Sequence, residues 1–198
     1  INRSHDATIF HDWYSRTGQG YGSEYRYVTN AQSSGNIRVF RLDQQAAEFS
    51  DDEGDVTGTL PDTESFEVRA NATQAIARGL RARARVDYFS DVITQQLYHQ
   101  NLYEASRRMS VINGGVTGAW GPYNTSFVWE RNEIFDNETS STVYGSTPRV
   151  NAGVAPTRLF GAPVYGSVSS EFANLPYRRT SEGVVTSDQG LQRFDVAP

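Results

Sequence analysis

Apolar and polar positions alternate with a period of two along most of the chain. In LRARARVDYFS, residues 80–90, arginine recurs at Arg81, Arg83 and Arg85, with Asp87 next in the series. Leu80, Ala82, Ala84, Val86 and Tyr88 fill the positions between. A helix would scatter these arginines around its surface, whereas a strand gathers them on one face and the apolar residues on the other. The preceding stretch SFEVRANA sets Phe66, Val68, Ala70 and Ala72 against Glu67, Arg69 and Asn71. Joined by the short link at Arg78 and Gly79, the two segments predict a β-hairpin.

The same pattern recurs on both sides. VINGGVTGAW runs into Gly121-Pro122 and returns as YNTSFVWERN, where Tyr123, Thr125, Phe127 and Trp129 alternate with Asn124, Ser126 and Glu130. Comparable segments lie at 6–15, 20–30, 35–48, 147–155, 163–175 and 190–197. The expectation is an all-β, antiparallel up-and-down meander of about ten strands with no long helix. Short links are expected near 31–35, 76–79, 121–122 and 156–162, and long ones at 49–64, 90–107, 133–146 and 176–189. Residues 16–20 are short where the alternation expects a long link. Residues 92–105 have the pattern of a short helical turn inside a loop. Short turns at one end and long loops at the other are the habit of outer-membrane barrels.

The polar positions form a series of faces. One set is Glu67, Arg69 and Asn71, a second is Arg81, Arg83, Arg85 and Asp87, and a third is Asn124, Ser126 and Glu130. Arg149 and Asn151 continue the series, as do Ser167, Ser169 and Glu171. Alternation alone leaves two readings open: the wet outer face of a soluble sheet, or the hydrated lumen of a barrel whose other face meets lipid. Aromatics near predicted strand ends, Trp13, Tyr14, Tyr88, Phe89, Trp120 and Tyr123, are placed for interfacial girdles in the second reading.

Composition narrows the choice. The 198 residues are 37% hydrophobic and 12% aromatic, with a mean hydropathy of −0.57, a sparse supply for a conventional two-layer core. No apolar run approaches the roughly 20 residues of a membrane helix, while barrel strands need only about 9–11 alternating residues. With 18 basic against 23 acidic residues the net charge is −5, which argues against a nucleic-acid binder. Cysteine is absent, so disulfides and thiolate metal sites are excluded. The chain starts at Ile1 and ends at RFDVAP in what reads as mid-strand, so an internal fragment of a longer protein is expected.

Candidate chemistry is thin. Ser4, His5 and Asp6 are sequence neighbours, and neighbours on a strand point to opposite faces, so they do not make a nucleophilic triad. The acidic run SDDEGDVTGTLPDTE, residues 50–64, lacks the alternating ligand spacing of a calcium loop and reads as a solvated loop. The expectation is a protein without catalytic residues, metal or cofactor.

Several segments together resemble the LPS-assembly outer-membrane protein family, LptD, also called organic solvent tolerance protein. They are TGQGYGSEYRYV (17–28), GNIRVFRL (35–42), RARARVDYFSDVITQQLYHQNLYEASRR (81–108), YGSTPRV (144–150), RLFGAPVYGSVSSEFANL (158–175) and LQRFDVAP (191–198). The specificity lies in their collinearity, since none is a short diagnostic motif.

The resemblance implies residues 1–198 of a larger barrel in the bacterial outer membrane, without the family's amino-terminal periplasmic jellyroll and closing strands. It also implies transport of lipopolysaccharide to the outer leaflet, with a plug lipoprotein and periplasmic bridge proteins as partners alongside membrane lipid. Arg81, Arg83 and Arg85 in such a lumen either contact phosphate and sugar or pair with Glu67 and Asp87 to brace the wall. Other outer-membrane barrels, such as a diffusion porin or a lipid-modifying enzyme, and a soluble carbohydrate-binding β-sandwich are the rival readings.

Overall fold

The alternating segments all become strands, and each pairs with its neighbour in sequence. The computed structural model describes residues 4–50, 56–92 and 106–198. Its main sheet contains β1 (His5–Tyr14), β2 (Gly18–Asn30), β3 (Ser33–Gln44), β6 (Thr63–Ala77) and β7 (Leu80–Phe89). It continues with β8 (Met109–Trp120), β9 (Tyr123–Asn137), β10 (Ser140–Arg158), β11 (Tyr165–Ser181) and β12 (Val184–Ala197). Two short strands, β4 (Ala47–Ser50) and β5 (Val56–Leu60), form a separate hairpin between β3 and β6. The ten-stranded sheet is an antiparallel meander with β1 and β12 as its outer strands, and no pairing joins those two among the described residues.

The connections fall at two ends. At one, here the turn end, lie 31–32, 78–79, 121–122 and 159–164. Gly79 (φ 78°) and Gly121 (φ 57°) occupy backbone positions that disfavour a side chain. At the other, the loop end, lie 15–17, the β4–β5 insertion, the 90–108 connection, 138–139 and 182–183.

Two expected loops, 133–146 and 176–189, are instead mostly strand. β9 and β10 run on to a turn in which Asn137 Oδ1 accepts from the Thr139 amide at 2.9 Å. β11 and β12 meet at Glu182 (φ 53°) and Gly183 (φ 75°), both left-handed as a type I′ hairpin turn requires. The expected loop at 49–64 holds the β4–β5 hairpin, while its acidic residues 51–55 lie outside the described residues, as does the helical turn expected within 92–105 from residue 93 onward.

Little apolar surface is buried. Among the described residues, the buried hydrophobic side chains are Leu42, Phe89, Val92 and Ala173. By contrast Ile9 is 88% and Phe194 69% exposed. Elements pack chiefly against their sheet neighbours, so the apolar side chains have no second layer to meet among the described residues. A soluble sandwich buries such a face against another sheet.

Candidate functional site

Register decides which side chains share a face. Ala70, Val86 and Ile112 are cross-strand partners on one side, and Asn71, Arg85 and Asn113 on the other. Followed across the sheet, the pairing places Glu67, Arg69, Asn71, Arg81, Arg83, Arg85 and Asp87 on the same face. Asn124, Ser126 and Glu130 of β9 join them, with Arg149 and Asn151 of β10. Asp6, Glu24, Arg26 and Arg38 in β1–β3 and Arg193 and Asp195 in β12 extend this polar face to both edges. Asn36 and Arg38, opposite Asn71 and Arg69, follow the same alternation in GNIRVFRL.

The opposite face carries a charge-free band. Its loop-side border follows Trp13, Tyr21, Val39, Phe66, Tyr88, Ile112, Trp129, Val150, Phe172 and Phe194. From there to the turn end, this face of the ten strands bears no aspartate, glutamate or arginine among the described residues. On β7 the band runs from Tyr88 to Leu80, eight steps or about 26 Å along the strand. At the roughly 40° tilt of membrane barrels that is about 20 Å of height, close to the ~25 Å apolar band such barrels carry.

Charge returns at the border. Arg41 pairs with Asp43 at 2.6 Å and Glu64 at 2.8 Å, with its guanidinium 5.6 Å from the centre of the Phe66 ring. Arg131 pairs with Glu133 at 2.8 Å, two residues beyond Trp129, and Arg178 pairs with Asp188 at 2.8 Å. The extended parts of β9–β12 lie on this charged side of the border.

Four of the six aromatics expected in girdles lie on the apolar face. Trp120 and Tyr123 are cross-strand partners at the turn end, 46% and 60% exposed, and Trp120 Nε1 donates to the Arg78 carbonyl at 3.0 Å. Trp13 and Tyr88 lie toward the loop side. Tyr14 and Phe89 do not belong to the set. Their register puts both on the opposite face, and Phe89, 2% exposed, packs 5.2 Å from the Phe135 ring.

The carboxylates expected to neutralise the β7 arginines are engaged elsewhere. Glu67 pairs with Arg69 on its own strand, and Asp87 with Arg107, which also lies over the Phe89 ring. Glu171 pairs with Arg193 at 2.5 Å. Arg81, Arg83 and Arg85 therefore have no carboxylate partner among the described residues, and neither does Arg149. Their cross-strand neighbours are neutral: Asn71 and Asn113 flank Arg85, Thr73 and Gly115 flank Arg83, and Ala75 and Thr117 flank Arg81. Adjacent arginines of the series stand about 7 Å apart along the strand. Bracing of Arg81, Arg83 and Arg85 by Glu67 and Asp87, one of the two readings the sequence left open, is not formed among the described residues.

Toward β1 the polar face has a different texture. Phe10, Gly22 and Phe40 are cross-strand partners, and the two rings stack at 6.1 Å with 11° between their planes. A Cβ on Gly22 would overlap the Phe10 ring, so glycine there makes the stack possible. Arg38 lies 4.9 Å from the centre of the Phe10 ring, a cation–π contact.

Ser4, His5 and Asp6 do not converge. His5 Nδ1 is 2.6 Å from the Tyr25 hydroxyl on the apolar face, while Asp6 accepts from Arg26 at 2.5 Å on the polar face. No cluster of metal-ligating side chains occurs among the described residues. No protein-family model and no curated protein matches this chain.

Proposed function

We propose that this chain is part of the wall of an outer-membrane β-barrel that delivers lipopolysaccharide to the outer leaflet. The observation that carries the reading is the charge-free band opposite a face bearing Arg81, Arg83 and Arg85 without carboxylate partners. Lipid tolerates the first face, because barrel strands satisfy their backbone groups within the sheet and expose only apolar side chains. A hydrated lumen suits the second.

A lipopolysaccharide joins sugars and phosphates to acyl chains, so its carrier needs a wet route for the head beside a lipid boundary for the tails. Every one of the 18 basic residues in this chain is arginine. The planar guanidinium fork binds phosphate oxygens in pairs, whereas lysine acts as a point charge. The resemblance of the collinear segments to the LPS-assembly family supports the choice of lipopolysaccharide among anionic amphiphiles, and with it the plug lipoprotein and periplasmic bridge as partners.

The test is replacement of Arg81, Arg83 and Arg85 together by glutamine in the whole protein in cells. Lipopolysaccharide should be depleted from the outer leaflet while the barrel still migrates as a heat-modifiable species. Normal delivery by the assembled variant would overturn the role of the arginines. The same unpartnered arginines favour one second reading, an anion-conducting pore. Steady anion-selective conductance in planar bilayers, lost in the glutamine variant, would select it.

A further inference from the structure

We propose that a groove in the charge-free band, near the turn end of β9–β11, holds one acyl chain of a glycerophospholipid whose phosphate lies at Arg78. The groove has a volume of about 330 Å³. Its floor is a row of small side chains, because Thr125, Ala152 and Ser170 are cross-strand partners in β9, β10 and β11. Bulkier rows stand on both sides. Tyr123, Val154 and Val168 form the one at the turn end, and Phe127, Val150 and Phe172 the one toward the loops. On β8 the small row ends at Gly118, the partner of Thr125, where the Trp120 ring lies back over the glycine and closes the groove.

Chemistry and shape select the occupant. Thr125 Oγ1 donates to the Asn151 carbonyl at 2.9 Å and Ser170 Oγ to the Ala152 carbonyl at 3.2 Å, so the floor offers an occupant no hydroxyl proton. What it presents is hydrocarbon. Tyr123 and Phe127 stand four residues, about 13 Å, apart along β9, and their rings take up part of that span. A helix about 10–12 Å across does not fit between them, whereas a single acyl chain does.

Charge selects the other end of the molecule. Trp120 and Tyr123 mark the depth at which tails give way to headgroups. Arg78 lies just beyond, its carbonyl accepting from Trp120 Nε1 at 3.0 Å. The four turn-end connections together with Arg158 carry two charges, Arg78 and Arg158, both cationic and exposed, and no carboxylate among the described residues pairs with either. Phe160, fully exposed, and Leu159 and Val164 make the 159–164 turn apolar as well, as suits a segment in the interfacial layer. An anionic phosphate on an apolar tail complements both features. The inference rests on the barrel-wall reading, in which short turns face the periplasm and the groove opens to the glycerophospholipid leaflet.

The test uses the full chain with Trp13→Phe and Trp129→Phe, which leaves Trp120 as the only tryptophan. It is folded in maltoside micelles, and phosphatidylglycerol or diacylglycerol with brominated acyl chains is added while Trp120 fluorescence is followed. Half-quenching should need about fivefold less phosphatidylglycerol than diacylglycerol, and Arg78→Gln should abolish that difference. Ala152→Phe and Ser170→Leu, which fill the floor, should each raise the phosphatidylglycerol needed about fivefold, while Ala84→Phe, on the same face away from the groove, should leave it unchanged. Heat-modifiable migration checks that each variant has folded.

Equal quenching by the two lipids in the parent would overturn the phosphate contact at Arg78. Quenching that tracks the brominated fraction of the micelle alike in the parent and the filled variants would mean ordinary solvation of the face and would overturn the site. Shielding of Trp120 from both lipids until a co-purifying protein is stripped away would make the groove a protein contact and overturn it as well. Insertion into phosphatidylcholine vesicles is scored separately. A chain that inserts yet shows no lipid preference refutes this inference and leaves the wall reading standing. One that inserts into no vesicle refutes the wall reading, and the inference with it.

Discussion

Asp87 accepts its ion pair from Arg107, in the segment leading into β8, and not from Arg85 two residues before it on β7. The arrangement ties the end of the 90–108 connection to the sheet. It also leaves the arginine series on β7 without internal neutralisation.

Removing Asp87 should therefore act on the connection rather than on the series. The Arg107 side chain is 14% exposed, so Asp87→Asn removes a partner's charge from beside a largely buried guanidinium. A loss of about 1–3 kcal/mol in urea unfolding is expected, with earlier proteolytic cleavage within 90–108. Arg85→Gln should change stability by less than about 0.5 kcal/mol. An equal loss in both variants would mean that Asp87 and Arg85 are the true partners.

Salt dependence reports the same arrangement from the other side. Arg81, Arg83 and Arg85 repel one another along the strand, and screening weakens that repulsion. Thermal stability of the detergent-folded chain should rise as sodium chloride goes from low to moderate concentration. In the triple glutamine variant the rise should be smaller, from a midpoint at least as high as that of the parent at low salt. A variant less stable than the parent at every salt concentration would show that the arginines brace the sheet after all.

The meander was legible because its signal is geometric: a polar series such as Arg81, Arg83, Arg85 and Asp87 has one reading as a strand and none as a helix. The shared face followed from the same parity. Turn chemistry was harder to see at the loop end. Asn-Gly and Asp-Gly announce type I′ turns, but β11 and β12 are joined by Glu182-Gly183, in which glutamate takes a conformation that usually falls to asparagine or glycine. Ion-pair partners were invisible for a different reason: Arg107 lies 20 residues from Asp87, and only folding brings them together. That is why the sequence left the pairing of the β7 arginines with Glu67 and Asp87 as one of two readings.

The turn itself yields a prediction. Glu182→Asn keeps the amide that donates to Ser140 Oγ at 3.1 Å and replaces a strained residue with one that tolerates φ 53°. Stability should rise by about 1 kcal/mol, and Glu182→Val should lower it by a similar amount. Unfolding midpoints of the two variants, on either side of the parent, are the check. Two variants that shift together would mean that the turn does not hold these angles in solution.

The two faces of the sheet can be compared at neighbouring positions, because Thr73 pairs with Arg83 and Ala72 with Ala84. Ala84→Arg puts a charge in the middle of the charge-free band, where a lipid-facing arginine costs about 2–4 kcal/mol at the bilayer midplane. Thr73→Arg adds the same charge and nearly the same volume to the polar face, where water is available. Folding into vesicles, read as heat-modifiable migration in detergent gels, should fall sharply for Ala84→Arg and hold for Thr73→Arg. In detergent the difference should shrink, since micelles deform around a charge more readily than a bilayer does. If Ala84→Arg folds into vesicles as well as the parent, that face does not meet lipid. If Thr73→Arg fails instead, even in salt that screens its repulsion from Arg83 across the strand pair, the polar face is packed against something dry, and a hydrated lumen is the wrong description of it.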